Sequence, residues 1–252
     1  MKTDEKFSFF YRHIVPIVFV FEKGGEIYEA QISSFVISIK GKWLLVTAGH
    51  CLRDIEVNIE KGYKFIKCGL ADSLGINPND HFYVHFIYNK CKKVIIEDYG
   101  LDIGLIFLTD YYKKLLQANN VVALSEECWE KQPEDPECYA LVGIPDVLIE
   151  KSKKGSEFHP AFFDVKKCES KPEVFPDVEI PRFYGRINLE GKIDSISGIS
   201  GSPIFAFKKD NQGQLKYWLT AVECSWLNES QHISGCYIKD VAKSIGNTME
   251  KA

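Results

Sequence analysis

The sequence predicts an all-β protein, and three observations carry that prediction. Short runs rich in Val, Ile, Phe and Tyr recur along the chain, each broken within a few residues by Gly, Asn or Asp. Strands of that length and spacing suit a barrel or a sandwich. Apolar residues make up 45% and aromatics 13% of the 252 residues, enough for a sizeable core in one large domain or two small ones. The tail differs: Ile238, Val241, Ile245 and Met249 recur at three- and four-residue steps and predict an amphipathic helix.

The elements follow in order. Residues 1–12 are polar and charged, with Phe7, Phe9, Phe10 and Tyr11 clustered, and read as a short helix or an extended arm packed on the body. Pro16 inside the apolar run Ile14 to Phe21 suits a strand start or an edge. Gly24-Gly25 signals a hairpin turn. Tyr28 to Ile39 reads as one or two strands, Lys40-Gly41-Lys42 as a turn, and Trp43 to Ala48 as the strand delivering His50. Tyr63 to Cys68, His81 to Tyr88, Lys93 to Glu97 and Leu101 to Leu108 continue the pattern. Tyr111 to Asn119 reads as helical or irregular, and Asp110 to Pro133 as the crossing between two strand-rich halves. The second half opens with the apolar stretch Cys138 to Pro145 and a hairpin tip over Ser152 to His159. Glu169 to Pro181, rich in proline and acid, is a loop. Arg182 to Leu189 and Leu215 to Cys224 are strands, the latter entered through the turn Asp210-Asn211-Gln212-Gly213.

Charge and hydropathy exclude several partners. A net charge of −4, from 31 basic and 35 acidic residues, leaves no electrostatic footprint for nucleic acid. The cluster Lys151-Ser152-Lys153-Lys154 reads as a solvated loop. The longest apolar run, Ile14 to Phe21, is too short to cross a bilayer, so no membrane partner is expected. Asp4 and Glu5 ahead of it do not suit a secretory leader, and the run is read as a buried strand. No Cys/His spacing matches a zinc site. Asn228-Glu229-Ser230 has the pattern of a glycosylation acceptor, which without a leader reads as chance.

Chemistry concentrates in Gly198-Ile199-Ser200-Gly201-Ser202-Pro203, directly ahead of the apolar run Ile204 to Phe207. A serine hydroxyl needs a base to take its proton and N–H groups aimed at the oxyanion that forms. Glycine at Gly198 permits a backbone in which its own N–H and that of Ser200 face one point. The plain alternative is a tight turn before a strand. Upstream, Trp43 to Cys51 is an apolar strand ending in His50, and Leu101 to Leu108 is a second one with Asp102 near its start. His50 read alone is equally a core histidine, and Asp98 is a rival carboxylate four residues before Asp102.

Thr47-Ala48-Gly49-His50-Cys51, Asp102-Ile103-Gly104-Leu105 and Gly198 to Pro203 stand in that order, with gaps of 52 and 98 residues between His50, Asp102 and Ser200. Together they resemble the three signature motifs of the trypsin/chymotrypsin superfamily of serine proteases, over nearly the whole chain. The resemblance implies two six-stranded antiparallel Greek-key barrels with a C-terminal α-helix. Residues 1–120 would carry His50 and Asp102, and residues 121–252 Ser200 and the helix, as one unit. It implies that Ser200 attacks a peptide carbonyl, His50 shuttles the proton and Asp102 holds the imidazole. The N–H groups of Gly198 and Ser200 would form the oxyanion hole. The implied substrate is a protein or peptide, with no cofactor and no metal.

Further expectations follow from the resemblance. Asp194 lies six positions before Ser200, where trypsin-like enzymes carry the aspartate at the base of the substrate pocket, so cleavage after Arg or Lys is implied. Bacterial heat-shock relatives carry a nearby aspartate without that role. Ser225-Trp226 resembles the pair lining the substrate channel, although the slot falls equally well on Cys224-Ser225. Secreted zymogens have an aspartate just before the nucleophile; Ile199 stands there, so activation by a freshly cut N-terminus is not expected, and activity would be constitutive or gated by a partner or by loop order. Eight cysteines are present, but Cys51 lacks its usual partner in Ser33 to Val36, and Ile196 replaces another paired cysteine. Free thiols and a cytoplasmic location are therefore expected. Two rivals stay open: a silent copy of the fold serving as a binding scaffold, and a secreted, disulfide-linked protease.

Overall fold

The computed structural model describes residues 8–72, 83–152, 155–189, 193–239, 241–243 and 245. Expectations that fall on Met1 to Phe7, His81, Lys153, Lys154 and Met249 lie outside the described residues.

The first half opens with one helical turn, α1 (Ser8–Tyr11), followed by β1 (Ile17–Lys23), β2 (Glu26–Ile32), β3 (Phe35–Ile39) and β4 (Lys42–Thr47). The chain then forms α2 (Gly49–Glu60), β5 (Lys64–Ala71), β6 (Tyr83–His85), β7 (Lys93–Ile96) and β8 (Ile103–Phe107). Two helices, α3 (Asp110–Ala118) and α4 (Glu126–Trp129), lie in the crossing. The second half holds β9 (Cys138–Gly143), the hairpin β10 (Ile149–Ser152) and β11 (Gly155–Phe158), β12 (Ala161–Lys167) and β13 (Arg182–Ile187). It ends with β14 (Pro203–Lys209), β15 (Leu215–Leu227) and β16 (His232–Tyr237), after which Ile238 and Lys239 are helical.

The second half is a closed antiparallel barrel in the order β12-β13-β16-β15-β14-β9. Leu141, Phe163, Phe183, Ile204, Ala221 and Ile233, one from each strand, fill its interior. The first half differs in detail from the expected six-stranded barrel. Among the described residues it consists of two four-stranded antiparallel sheets, β2-β1-β5-β6 and β3-β4-β8-β7. The cause lies at Ser33-Ser34, where the chain turns between β2 and β3. There Ser34 O accepts the Val15 N–H at 2.9 Å, the Ser34 hydroxyl donates to Val15 O, and a single bridge pairs Ile14 with Phe35. The two sheets face each other over one core that includes Phe19, Phe21, Val36, Leu45 and Ile106.

A third core joins the halves. Phe35, Leu44, Val46 and Leu105 pack with Val142, Phe205 and Val222 across the boundary. Full burial of such side chains is worth about 1.5–3 kcal/mol each, so the interface holds the halves rigidly. The early ring of Phe10 sits in an aromatic seat made by the second half, 5.0 Å from Tyr217, 5.4 Å from Phe205 and 5.5 Å from Phe207 between centroids. The crossing runs beside β3, where Ser38 N–H donates to Leu124 O and Leu124 N–H to Val36 O, both at 2.9 Å.

Candidate active site

The site lies at the boundary between the halves. Strand β4 ends at Thr47, Ala48 is extended, and α2 begins at Gly49, so His50 sits in the first turn of a helix. Leu52, Ile55 and Ile59 give that helix an inward face against the first-half core. Asp102 directly precedes β8. Its carboxylate grips His50 twice, accepting the His50 backbone N–H at 2.8 Å through Oδ1 and facing the ring Nδ1 at 2.7 Å through Oδ2. The ring therefore carries a proton on Nδ1, with Nε2 turned toward the reaction space. Asp98, the rival carboxylate, is exposed.

The charges reinforce each other. Burial pushes the Asp102 carboxyl up, but the His50 ring, the His50 backbone N–H and the Arg182 charge outweigh it and hold it below the usual carboxylate range. The hydrogen bond to Asp102, seconded by the Cys51 thiol, raises His50 to about 10 despite its burial. The carboxylate thus favours the protonated form of the ring. Two buried thiols hold the peptide of Asp102 from behind: Asp102 N–H donates to Cys236 Sγ at 3.2 Å, and Cys224 Sγ–H donates to Asp102 O at 3.2 Å.

Ser200 arrives on a tight turn. Gly198 and Gly201 adopt φ of +86° and +97°, which favours residues without a Cβ. The Ser33 hydroxyl donates to Gly198 O at 3.0 Å, Gly201 N–H to Glu223 O at 2.8 Å, and Glu223 N–H to Ser202 O at 2.9 Å. Cys51 links the two parts of the site. Its sulfur lies 3.5 Å from His50 Nε2 and 3.7 Å from Ser200 O. The Ser200 hydroxyl makes no hydrogen bond to His50 and lies beside the buried Glu223 carboxyl. Neither the Gly198 nor the Ser200 N–H has an acceptor among the described residues. The Asp146 carboxylate crowds Gly198: a Cβ there would stand 2.1 Å from its Oδ1.

The structure thus brings His50, Asp102, Gly198 and Ser200 to one place. Asp194 is exposed on the loop before the turn, whereas the pocket-base reading requires a buried carboxylate. Ser225 and Trp226 are half-buried near the end of β15, and Trp226 Nε1–H is buried without a partner among the described residues. Of the remaining described histidines, His13 is buried against the crossing, His85 is exposed, His159 faces Glu150 and Glu157, and His232 is half-buried at the start of β16. Sequence reasoning missed Glu223, Asp146 and the thiols of Cys51, Cys224 and Cys236. The acid within Leu219-Thr220-Ala221-Val222-Glu223-Cys224 was a signal, since a charge in an apolar strand calls for an explanation.

No protein-family model matches the sequence, and no curated protein does either. Solved structures do match. A thermostable serine protease, AL20, from an extremophilic microorganism superposes with a TM-score of 0.55 at 16% identity, covering 96% of this chain and 98% of that one. Protease Anisep from Arthrobacter nicotinovorans gives 0.50 at 17% identity over 90% of each chain. HL collagenase gives 0.52 at 11% identity over 95% of this chain and 94% of that one. At such identities the likeness establishes architecture: the chain has the fold of the trypsin/chymotrypsin-like serine proteases.

Proposed function

We propose that this chain is a serine endopeptidase whose two halves, residues 1–120 and 121–252, act as one unit. The observation that carries the reading is the double grip of Asp102 on His50 beside the Ser200 turn, inside a protease fold. With the ring neutral and Nε2 free, the Ser200 hydroxyl rotates to His50 Nε2, loses its proton there as it attacks the peptide carbonyl, and forms an acyl-enzyme. His50 returns the proton to the leaving amine, and Asp102 stabilises the imidazolium between those steps. The Gly198 and Ser200 N–H groups receive the oxyanion. These steps need no metal and no cofactor.

Ile199, 1% exposed, occupies the place of the zymogen aspartate, so control falls to a protein activator or to the substrate itself. Cleavage after Arg or Lys, with Asp194 as acceptor, is the finer reading. An exposed carboxylate adds at most about 1 kcal/mol to such a preference. No described helix is long and apolar enough to cross a membrane. All eight cysteines are free, which favours a reducing, cytoplasmic setting for a protein or peptide substrate.

A second reading, a silent fold used as a binding scaffold, draws on the Ser200 hydroxyl standing apart from His50 and on Asp146 crowding Gly198. A fluorophosphonate probe separates the two. The enzyme reading expects covalent labelling that vanishes in Ser200→Ala. Labelling that is absent under all conditions, or that persists in Ser200→Ala, overturns it.

A further inference from the structure

Glu223 is the group that the proposed mechanism leaves unexplained. It lies on β15 directly behind the nucleophile turn, tied there by both of its backbone groups: its carbonyl accepts the Gly201 N–H at 2.8 Å and its N–H donates to Ser202 O at 2.9 Å. The side chain is wholly buried, at 0% exposure. Neither carboxyl oxygen has a hydrogen-bond partner among the described residues. The Ser200 hydroxyl and the Ser225 N–H lie beside the carboxyl and favour its charged form. No Lys or Arg pairs with it among the described residues. Across the strand pair, its opposite number on β16 is Gly235, which offers no side chain.

An ionised carboxylate buried without a counter-charge is very costly, whereas a neutral carboxylic acid loses only what an imperfectly paired polar group loses. The resting form is therefore protonated. We propose that Glu223 is a positioning residue for Ser200: neutral, it leaves the serine hydroxyl free to turn to His50, and ionised, it takes that hydroxyl as its own donor and opposes the oxyanion. The inference rests on the reading of Ser200 as nucleophile.

The chemistry follows from donor and acceptor capacity. A protonated carboxyl can donate to Ser200 Oγ and leave the serine proton for His50 Nε2. A carboxylate only accepts, so it draws the serine O–H away from the base. Its charge also lies close to the carbonyl oxygen that turns negative during attack, and like charges in a dry site repel strongly. The titratable groups facing Glu223 are His50 on α2, Asp102 ahead of β8 and Cys224 on its own strand. The His50 cation favours the carboxylate and Asp102 opposes it, while burial dominates and lifts Glu223 to about 8. Conversely, an ionised Glu223 favours the protonated imidazole, which is no base. Loss of one proton to solvent thus disables the nucleophile and its base together.

The test is the rate of fluorophosphonate labelling at Ser200 against pH, for the parent, Glu223→Gln and Glu223→Val. In the parent the gain from neutralising His50 is cancelled above about pH 8 as Glu223 ionises, so the rate levels off. Glutamine keeps a neutral hydrogen-bonding side chain, and its rate continues to climb. The ratio of Glu223→Gln to parent is expected to grow about tenfold per pH unit above about 8. Glu223→Val, which fills the site without a polar partner for the hydroxyl, is expected to label about tenfold more slowly at neutral pH. A ratio that stays constant with pH overturns the proposal while leaving the protease reading intact; a parent that never labels overturns both. Carbon-13 NMR of the Glu223 carboxyl in the parent gives a readout independent of how the variants fold. A carboxyl already ionised at pH 6 overturns the proposal, and one that titrates near 8 and shifts in Ser200→Ala supports it.

Discussion

Gly201→Ala probes the seam on which the site depends. Gly201 has φ of +97°, and a Cβ built there would stand 2.2 Å from Thr47 Oγ1, 2.4 Å from Ser33 O and 3.0 Å from Ala48 N. Two of these three atoms are backbone and cannot swing aside; Thr47 and Ala48 lead directly into His50, and Ser33 lies in the turn between β2 and β3. The left-handed backbone alone costs an ordinary residue about 1–2 kcal/mol. Wedging a methyl into a packed seam adds about 1–3 kcal/mol. The Thr47 hydroxyl, which donates to Ser33 O at 2.7 Å, is displaced for about 1 kcal/mol more. Together these come to about 3–6 kcal/mol, or a fall of about 6–24 °C in Tm for a chain of this size. The same wedge pushes the His50 and Ser200 segments apart, and a shift of about 1 Å between reacting groups costs about a hundredfold in rate. Calorimetry and the rate of fluorophosphonate labelling read the two effects separately. A Gly201→Ala protein that melts within about 2 °C of the parent and labels at the parental rate would refute the seam as the determinant of the site.

Three other outcomes are expected. Asp102→Asn should lower the His50 pKa from about 10 toward its ordinary 6.5, followed by NMR of the ring protons, because the carboxylate hydrogen bond is the largest cause of the shift. The pair stabilises the fold fully below pH 6.5, and that contribution fades as pH rises through about 10; a His50 titration unmoved in Asp102→Asn contradicts the assignment. Burial and the nearby Arg12 hold His13 at about 4 against its hydrogen bond to Val122 O, so the folded state resists a proton that the unfolded chain accepts. Stability should drop by about 3 kcal/mol as pH falls from 6.5 to 4, measured by urea unfolding, and His13→Asn should flatten that limb. Asp194→Ser should change any preference for Arg or Lys substrates by less than about fivefold in kcat/KM, since the carboxylate is exposed; a larger loss would restore the pocket role.

What was legible in the sequence is what each local segment carries by itself. His50 and Ser200 sit among residues that fix their own surroundings: β4 runs straight into His50, and two left-handed glycines bracket the serine. Asp102 was separable from Asp98 because only Asp102 leads directly into a buried strand. The helix α2 is written in the spacing of Leu52, Ile55 and Ile59, which follows directly on the apolar strand that ends before His50. Glu223 was not legible because its role depends on lateral register. It meets the serine turn through the pairing of β15 with Gly201 and Ser202, and the register against β16 shifts just past it, between Glu223 and Ser225. Asp194 stands exposed because spacing along a loop does not fix which way the loop faces. The four-stranded sheets of the first half follow from hydrogen bonds at Ser33-Ser34, a corner that no hydrophobic pattern records.

The seat of Phe10 sets an order on the life of the molecule. A ring near the start of the described chain rests on Phe162, Phe205, Phe207 and Tyr217, so its berth is unfinished until translation has passed residue 217. On the ribosome, the early segment must wait, its aromatic side chains unhoused, while the rest emerges. The joining of the two halves is thus finished late in synthesis, and a nascent chain cut short of residue 217 carries His50 and Asp102 without the complete aromatic seat.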